Sequence, residues 1–98
     1  MSDLLKEIQD WYQSQCNGDW ELGDGIKIDS LDNPGWWVKI DLRKTVLENE
    51  PFATIDESPS ETDWIICKVE DQQFDGAGDP QKLEKILSTF YSWAKLRS

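Results

Sequence analysis

Leu4, Leu5, Ile8, Trp11 and Tyr12 recur at helical spacing and predict an amphipathic first helix. A Ser2-Asp3 start supplies its first-turn cap, and Asn17-Gly18, a pair tolerant of positive φ, supplies its exit. The apolar period then shortens to simple alternation. Ile26 and Ile28 alternate with Lys27 and Asp29, and Trp36, Val38, Ile40 and Leu42 alternate with Trp37, Lys39, Asp41 and Arg43, so both runs predict half-buried strands. Between them, Asn33-Pro34-Gly35-Trp36 places Pro and Gly at the central positions of a type II turn, with Gly35 taking the positive φ, and the two strands become a hairpin.

Residues 43–63 are polar, carry Pro51 and Pro59 and hold only short apolar pieces, which predicts an edge strand and a long loop rather than a core element. Trp64 to Val69 predicts a further strand, and the surroundings of Phe74 a short one. Asp79-Pro80 opens the last helix, Asp79 as cap and Pro80 at the first helical position. Leu83, Ile86, Leu87, Phe90, Trp93 and Ala94 follow at steps of three and four. The expected fold is a single α+β domain over residues 1–98. It has an N-terminal helix, about four antiparallel strands and a C-terminal helix, with both helices packed on one sheet face.

Three strands repeat one pattern: Ile26-Lys27-Ile28-Asp29, Val38-Lys39-Ile40-Asp41 and Cys67-Lys68-Val69-Glu70. Each turns an apolar pair to one side and a lysine-acid pair to the other. One reading of the second side is a solvated ladder of opposite charges. The other is an interaction face, because Trp37 belongs to the polar side, and Trp64 and Ile66 join it if Cys67 and Val69 point inward. Segment 43–63 either folds over this patch or leaves it open. A patch left open serves a partner protein or a two-fold homodimer through the outer sheet face.

Charge narrows the choice of partner. With 20 acids against 10 bases the chain has a net charge of −10, which repels phosphate backbones and argues against nucleic acid. Residues 17–33 and 41–63 concentrate the acids, so a basic protein would be steered to them. The apolar runs are too short for a membrane span or a secretory segment. That places the protein in the cytoplasm, where Cys16 and Cys67 stay as thiols.

Catalytic chemistry finds little to work with. Histidine is absent, which removes the commonest general base and zinc ligand. The cysteines lack C-x-x-C spacing, and Asp19, Glu21 and Asp24 miss the calcium-loop pattern, so no metal or cofactor is expected. Cys16 is the one nucleophile worth naming, as in a rhodanese-like sulfurtransferase. It follows a helix among acids, however, where a thiolate has no cation to stabilise it.

The blocks Trp11-Tyr12, Gln15-Cys16-Asn17-Gly18-Asp19-Trp20-Glu21, Gly25-Ile26-Lys27-Ile28, Leu31-Asp32-Asn33-Pro34-Gly35-Trp36, Asp63-Trp64-Ile65 and Phe74-Asp75-Gly76-Ala77-Gly78-Asp79-Pro80 closely resemble the immunity protein 53 family. The likeness covers nearly the whole chain and is weakest over 43–63. Leu22 departs from the pattern, where a histidine is expected, so no role of that side chain carries over. The resemblance implies a bacterial cytoplasmic antidote that neutralises a polymorphic toxin by direct binding, without catalysis. The acidity adds that the toxin is basic, for instance a nuclease. The residues expected to meet it are Asp19, Glu21 and Asp24 in the acidic loop, with Trp37, Trp64 and Ile66 on the sheet. Trp20 is assigned to the core.

Overall fold

Asp3 starts the first helix by accepting the Lys6 N–H at 3.1 Å, and α1 runs over Leu4–Gln15 in a computed structural model that describes residues 3–96. Ser2, the other half of the expected start, lies outside the described residues. The helix ends at Cys16, and Gly18 takes a left-handed φ of 89°. A single 3-10 turn follows at Trp20–Leu22.

Five strands come next: β1 (Ile26–Leu31), β2 (Gly35–Asp41), β3 (Ile55–Ser60), β4 (Asp63–Glu70) and β5 (Gln73–Gly78). They form one sheet in the order β1-β2-β5-β4-β3, antiparallel throughout. α2, Leu83–Lys95, closes the chain. The class is α+β as expected, with five strands rather than four because both weakly patterned segments pair. β3 is the predicted edge strand. β5 is the centre of the sheet, although its apolar signal rests on Phe74 and Ala77. Its glycines explain the weak signal: a Cβ on Gly76 would stand 2.5 Å from Ile86 Cγ2, so the strand gives up side chains where α2 crosses it.

The hairpin between β1 and β2 forms, but not through a type II turn. The Asn33-Pro34 peptide is cis, and Gly35 is already the first residue of β2, opposite Leu31. Space rather than φ demands glycine there, because a Cβ at Gly35 would collide with the Gly78 carbonyl oxygen. Asp79 does not cap α2 either. Lys82 is the residue before the helix, and Asp79 instead closes the preceding turn: its Oδ1 accepts the Gln81 N–H at 2.8 Å and its Oδ2 the Trp64 N–H at 2.9 Å. The side chain ties the end of β5 to β4.

The helices also differ from the expected arrangement. α2 lies across β5, β2 and β4, whereas α1 packs chiefly on α2 and on the 3-10 turn. Trp11 carries that packing, edge-on to Phe90 at 4.9 Å and to Trp20 at 5.8 Å. The core joins Val38, Ile40, Ile65, Cys67 and Phe74 of the sheet to Ile86, Leu87, Phe90, Trp93 and Ala94 of α2. Segment 43–54 contributes more than a loop was expected to. Leu47 is fully buried, Phe52 meets Phe74 and Trp93 edge-on, and Trp93 Nε1 donates to the Pro51 carbonyl at 2.9 Å. This segment therefore seals the helix side of the sheet.

Candidate interaction face

With α2 and segment 43–54 on one side, no described segment lies over the other. The strand register arranges its side chains in rows. Asp29, Trp37, Ala77, Ile66 and Asp56 stand opposite one another in turn, from β1 to β3. At ordinary strand spacing this row is about 19 Å long. Its middle is aromatic and aliphatic, and each end is an exposed carboxylate. The next row reads Lys27, Lys39, Asp75, Lys68.

That second row is only partly the expected ladder of opposite charges. Lys39, Asp75 and Lys68 do alternate in sign, but Lys27 stands opposite Lys39. The two ammonium groups turn apart. Lys39 Nζ lies 4.1 Å from the centroid of the Trp37 ring, and Lys27 Nζ is 3.6 Å from Asp24. Trp37 is held a second time by its indole N–H, which donates to Asp75 Oδ1 at 2.6 Å. Its half-buried ring is thereby fixed on the face.

Trp64 and Ile66 share the face with Trp37, as the alternation of β4 requires. Ile66 sits within the first row. Trp64 lies farther along, its ring over Gly35, beside Asn33 and Ser58 at the end of the sheet. At the opposite end of β1 and β2 a depression of about 260 Å³ is lined by Asp24, Lys27, Asp29, Trp37, Lys39 and Asp41, among others. Charges of both signs line it.

The acidic loop is more self-engaged than its composition suggests. Glu21 folds back so that its carboxylate accepts the Asn17 and Gly18 N–H groups at 2.9 and 2.8 Å, while Asn17 Oδ1 accepts those of Asp19 and Trp20. Backbone N–H groups, its own foremost and then those of Asn17 and Gly18, hold the Glu21 carboxyl below its usual range. Asp19 pairs with Lys44 at 2.6 Å, and Asp24 with Arg43 at 3.2 Å. Trp20 is buried, donating its indole N–H to the Asp41 carbonyl. Leu22, by contrast, is 80% exposed.

The loop and the aromatic face meet around Asp24, Gly25 and Asp41, which line the same depression as Trp37 and Lys39. Asp29, Asp56 and Asp75 complete the face. Asp29 was visible in the alternation of β1, but placing Asp56 and Asp75 requires the strand order.

Neither thiol is arranged for nucleophilic work. Burial pushes the Cys67 thiol up to about 11. Cys16 donates to the Tyr12 carbonyl at the negative end of α1. Among the described residues no three His, Cys, Asp or Glu side chains gather as a metal set, and no helix is long and apolar enough to cross a membrane.

A family model described as Immunity protein 53 matches residues 5–95. No curated protein and no solved structure gives a match.

Proposed function

The chain belongs to the immunity protein 53 family, and from that premise we propose that it neutralises a cognate toxin domain in the cytoplasm by binding it directly through the open sheet face. The observation that carries this reading is the row Asp29-Trp37-Ala77-Ile66-Asp56. An apolar centre excludes water and anchors the partner, and carboxylates at both ends select cations around the partner's own apolar patch. Trp37 is the central anchor, since an aromatic ring already immobilised loses little entropy on binding. Trp64 extends the contact along β4, and Asp19, Glu21 and Asp24 add the field that steers the approach. The partner implied is a basic toxin. A nuclease suits the description, because a surface that attracts phosphate also attracts this one.

The test is calorimetric titration of the cognate toxin domain with wild type, Ile66→Glu and the double variant Asp29→Lys/Asp56→Lys. Each variant changes only side chains on the outer face. Loss of about a hundredfold or more in affinity is expected for both. Unchanged affinity in both would sink the assignment of this face.

A further inference from the structure

The sheet has two free edges, and they are built differently. β3 carries Asp56, Glu57 and Pro59, and its register with β4 breaks between Glu57 and Ser60. Acids, proline and a bulge are what keep an edge from pairing. β1 has neither proline nor bulge, and its charges balance. Its six residues stay in unbroken register with β2, and its single lysine and single aspartate leave it without net charge on a strongly acidic molecule.

Its backbone groups are also correctly placed. The Asp41 N–H donates to the Gly25 carbonyl at 2.9 Å, which makes these two residues a hydrogen-bonded pair. Antiparallel alternation then turns the N–H and C=O of Lys27, Asp29 and Leu31 toward β2 and those of Ile26, Ile28 and Ser30 outward. Ile28 adds an apolar signal. Its side chain is on the helix side of the sheet yet 45% exposed, beside the strands β5, β2 and β4 on which α2 chiefly packs.

We propose that β1 is a self-pairing edge. Two copies of the chain join antiparallel about a two-fold axis at Ile28 and form one sheet with five strands from each copy. In this register Ile28 exchanges both backbone hydrogen bonds with its counterpart, and Ile26 does so with Ser30. Lys27 of each copy faces Asp29 of the other in the close, non-hydrogen-bonded position. The two Ile28 side chains cover each other.

Charge selects this register over its neighbours. Displacing the axis by one residue would put Lys27 opposite Lys27 or Asp29 opposite Asp29. Because β3 is blunted, pairing through β1 closes at two copies instead of growing into a filament. The contact uses the edge and not the face, so it differs from the outer-face homodimer expected from the sequence and leaves Trp37 open. It shares only Asp29 with the face proposed to bind the toxin, and its test needs no toxin.

Sedimentation velocity of the full chain at physiological salt, from low to high micromolar concentration, tests the proposal. Wild type is expected to move from monomer to dimer across that range. Lys27→Asp, at an exposed position, sets like charges opposite each other twice and should weaken the dimer about tenfold or more. Lys27→Asp/Asp29→Lys recreates both pairs with the signs exchanged and should restore it. Hydrogen exchange provides a second readout, with the Ile26, Ile28 and Ser30 amides gaining protection as concentration rises. A wild-type monomer at every concentration overturns the proposal, as does a dimer indifferent to Lys27→Asp or one the double exchange fails to rescue. If wild type stays monomeric while the Ile26, Ile28 and Ser30 amides gain protection only with the toxin domain bound, the edge accepts a strand from the toxin and self-pairing is wrong.

Discussion

Trp37 and Asp75 are diagonal neighbours on β2 and β5, joined by a 2.6 Å hydrogen bond from the indole N–H to a carboxylate oxygen. With Lys39 over the ring, the tryptophan is oriented before any partner arrives. Removing the acceptor should release the ring without altering the core. Asp75→Ala is expected to weaken toxin binding about tenfold through lost pre-organisation, and Trp37→Ala by about 2 kcal/mol or more through the lost anchor. Calorimetric titration alongside thermal unfolding separates the two, since neither variant should move the melting temperature far.

The acids should act alike on the rate of association and differ in their effect on stability. Reversing Asp29 and Asp56, which have no ion-pair partner among the described residues, should slow association at low salt by about an order of magnitude. Reversing Asp19 or Asp24 first breaks pairs with Lys44 or with Arg43 and Lys27, and should slow it similarly at first order. Glu21→Lys should additionally destabilise the protein, because the Asn17 and Gly18 amides lose their acceptor. Stopped-flow association over a salt series measures the rates. Rates indifferent to salt and to every reversal would leave the acidity a matter of solubility.

Asp79 links stability to acid. The Lys82 ammonium at 2.7 Å, helped by the Gln81 and Trp64 N–H groups, holds its carboxyl down to about 2 against the opposing effect of burial. In the unfolded chain an aspartate titrates near ~3.9. The folded value is the lower one, so its contribution is fully present above about pH 4 and disappears as pH falls toward 2. Wild type should exceed Asp79→Asn in urea resistance by a constant margin from neutral pH to about pH 5, and the margin should close below pH 4. A margin that stays open at pH 2 would assign the effect to shape instead of charge.

Trp11 has a buried indole N–H without a hydrogen-bond partner among the described residues. Trp11→Phe keeps an aromatic ring against Trp20 and Phe90 and removes the orphaned donor, so stability should change by less than about 1 kcal/mol. Trp11→Ala should cost about 3–5 kcal/mol. Denaturant unfolding compares them, and a phenylalanine variant as damaged as the alanine one would show that indole volume matters more than its polarity.

Both helices, the β1-β2 hairpin and β4 were legible because their apolar residues keep period over several turns or alternations. β5 was faint for a physical reason: the strand under α2 must use glycine at 76 and 78 to admit Ile86 and the Lys82 side chain, and glycine erases the pattern that announces a strand. Leu47 was missed because one buried leucine in a polar loop has no periodicity. At the site, Trp37, Trp64 and Ile66 followed from parity alone, since a strand's alternate residues must share a face. Their carboxylate neighbours did not, because adjacency across strands depends on the order β1-β2-β5-β4-β3, which no local spacing encodes. The acidic loop was read as a surface of open charge, whereas hydrogen bonds and ion pairs within the chain already engage much of it.

The one-sided core has a consequence for how this protein changes over generations. Val38, Ile40, Cys67 and Phe74 turn to α2, and their immediate neighbours Trp37, Lys39, Ile66 and Asp75 turn away, so a single step along a central strand passes from the core to the open face. Exchanges on the two sides that share no neighbours combine almost additively. A lineage can therefore revise the outer face through successive single replacements, each of which still folds, and, on the binding role proposed for that face, follow a target that is itself altering.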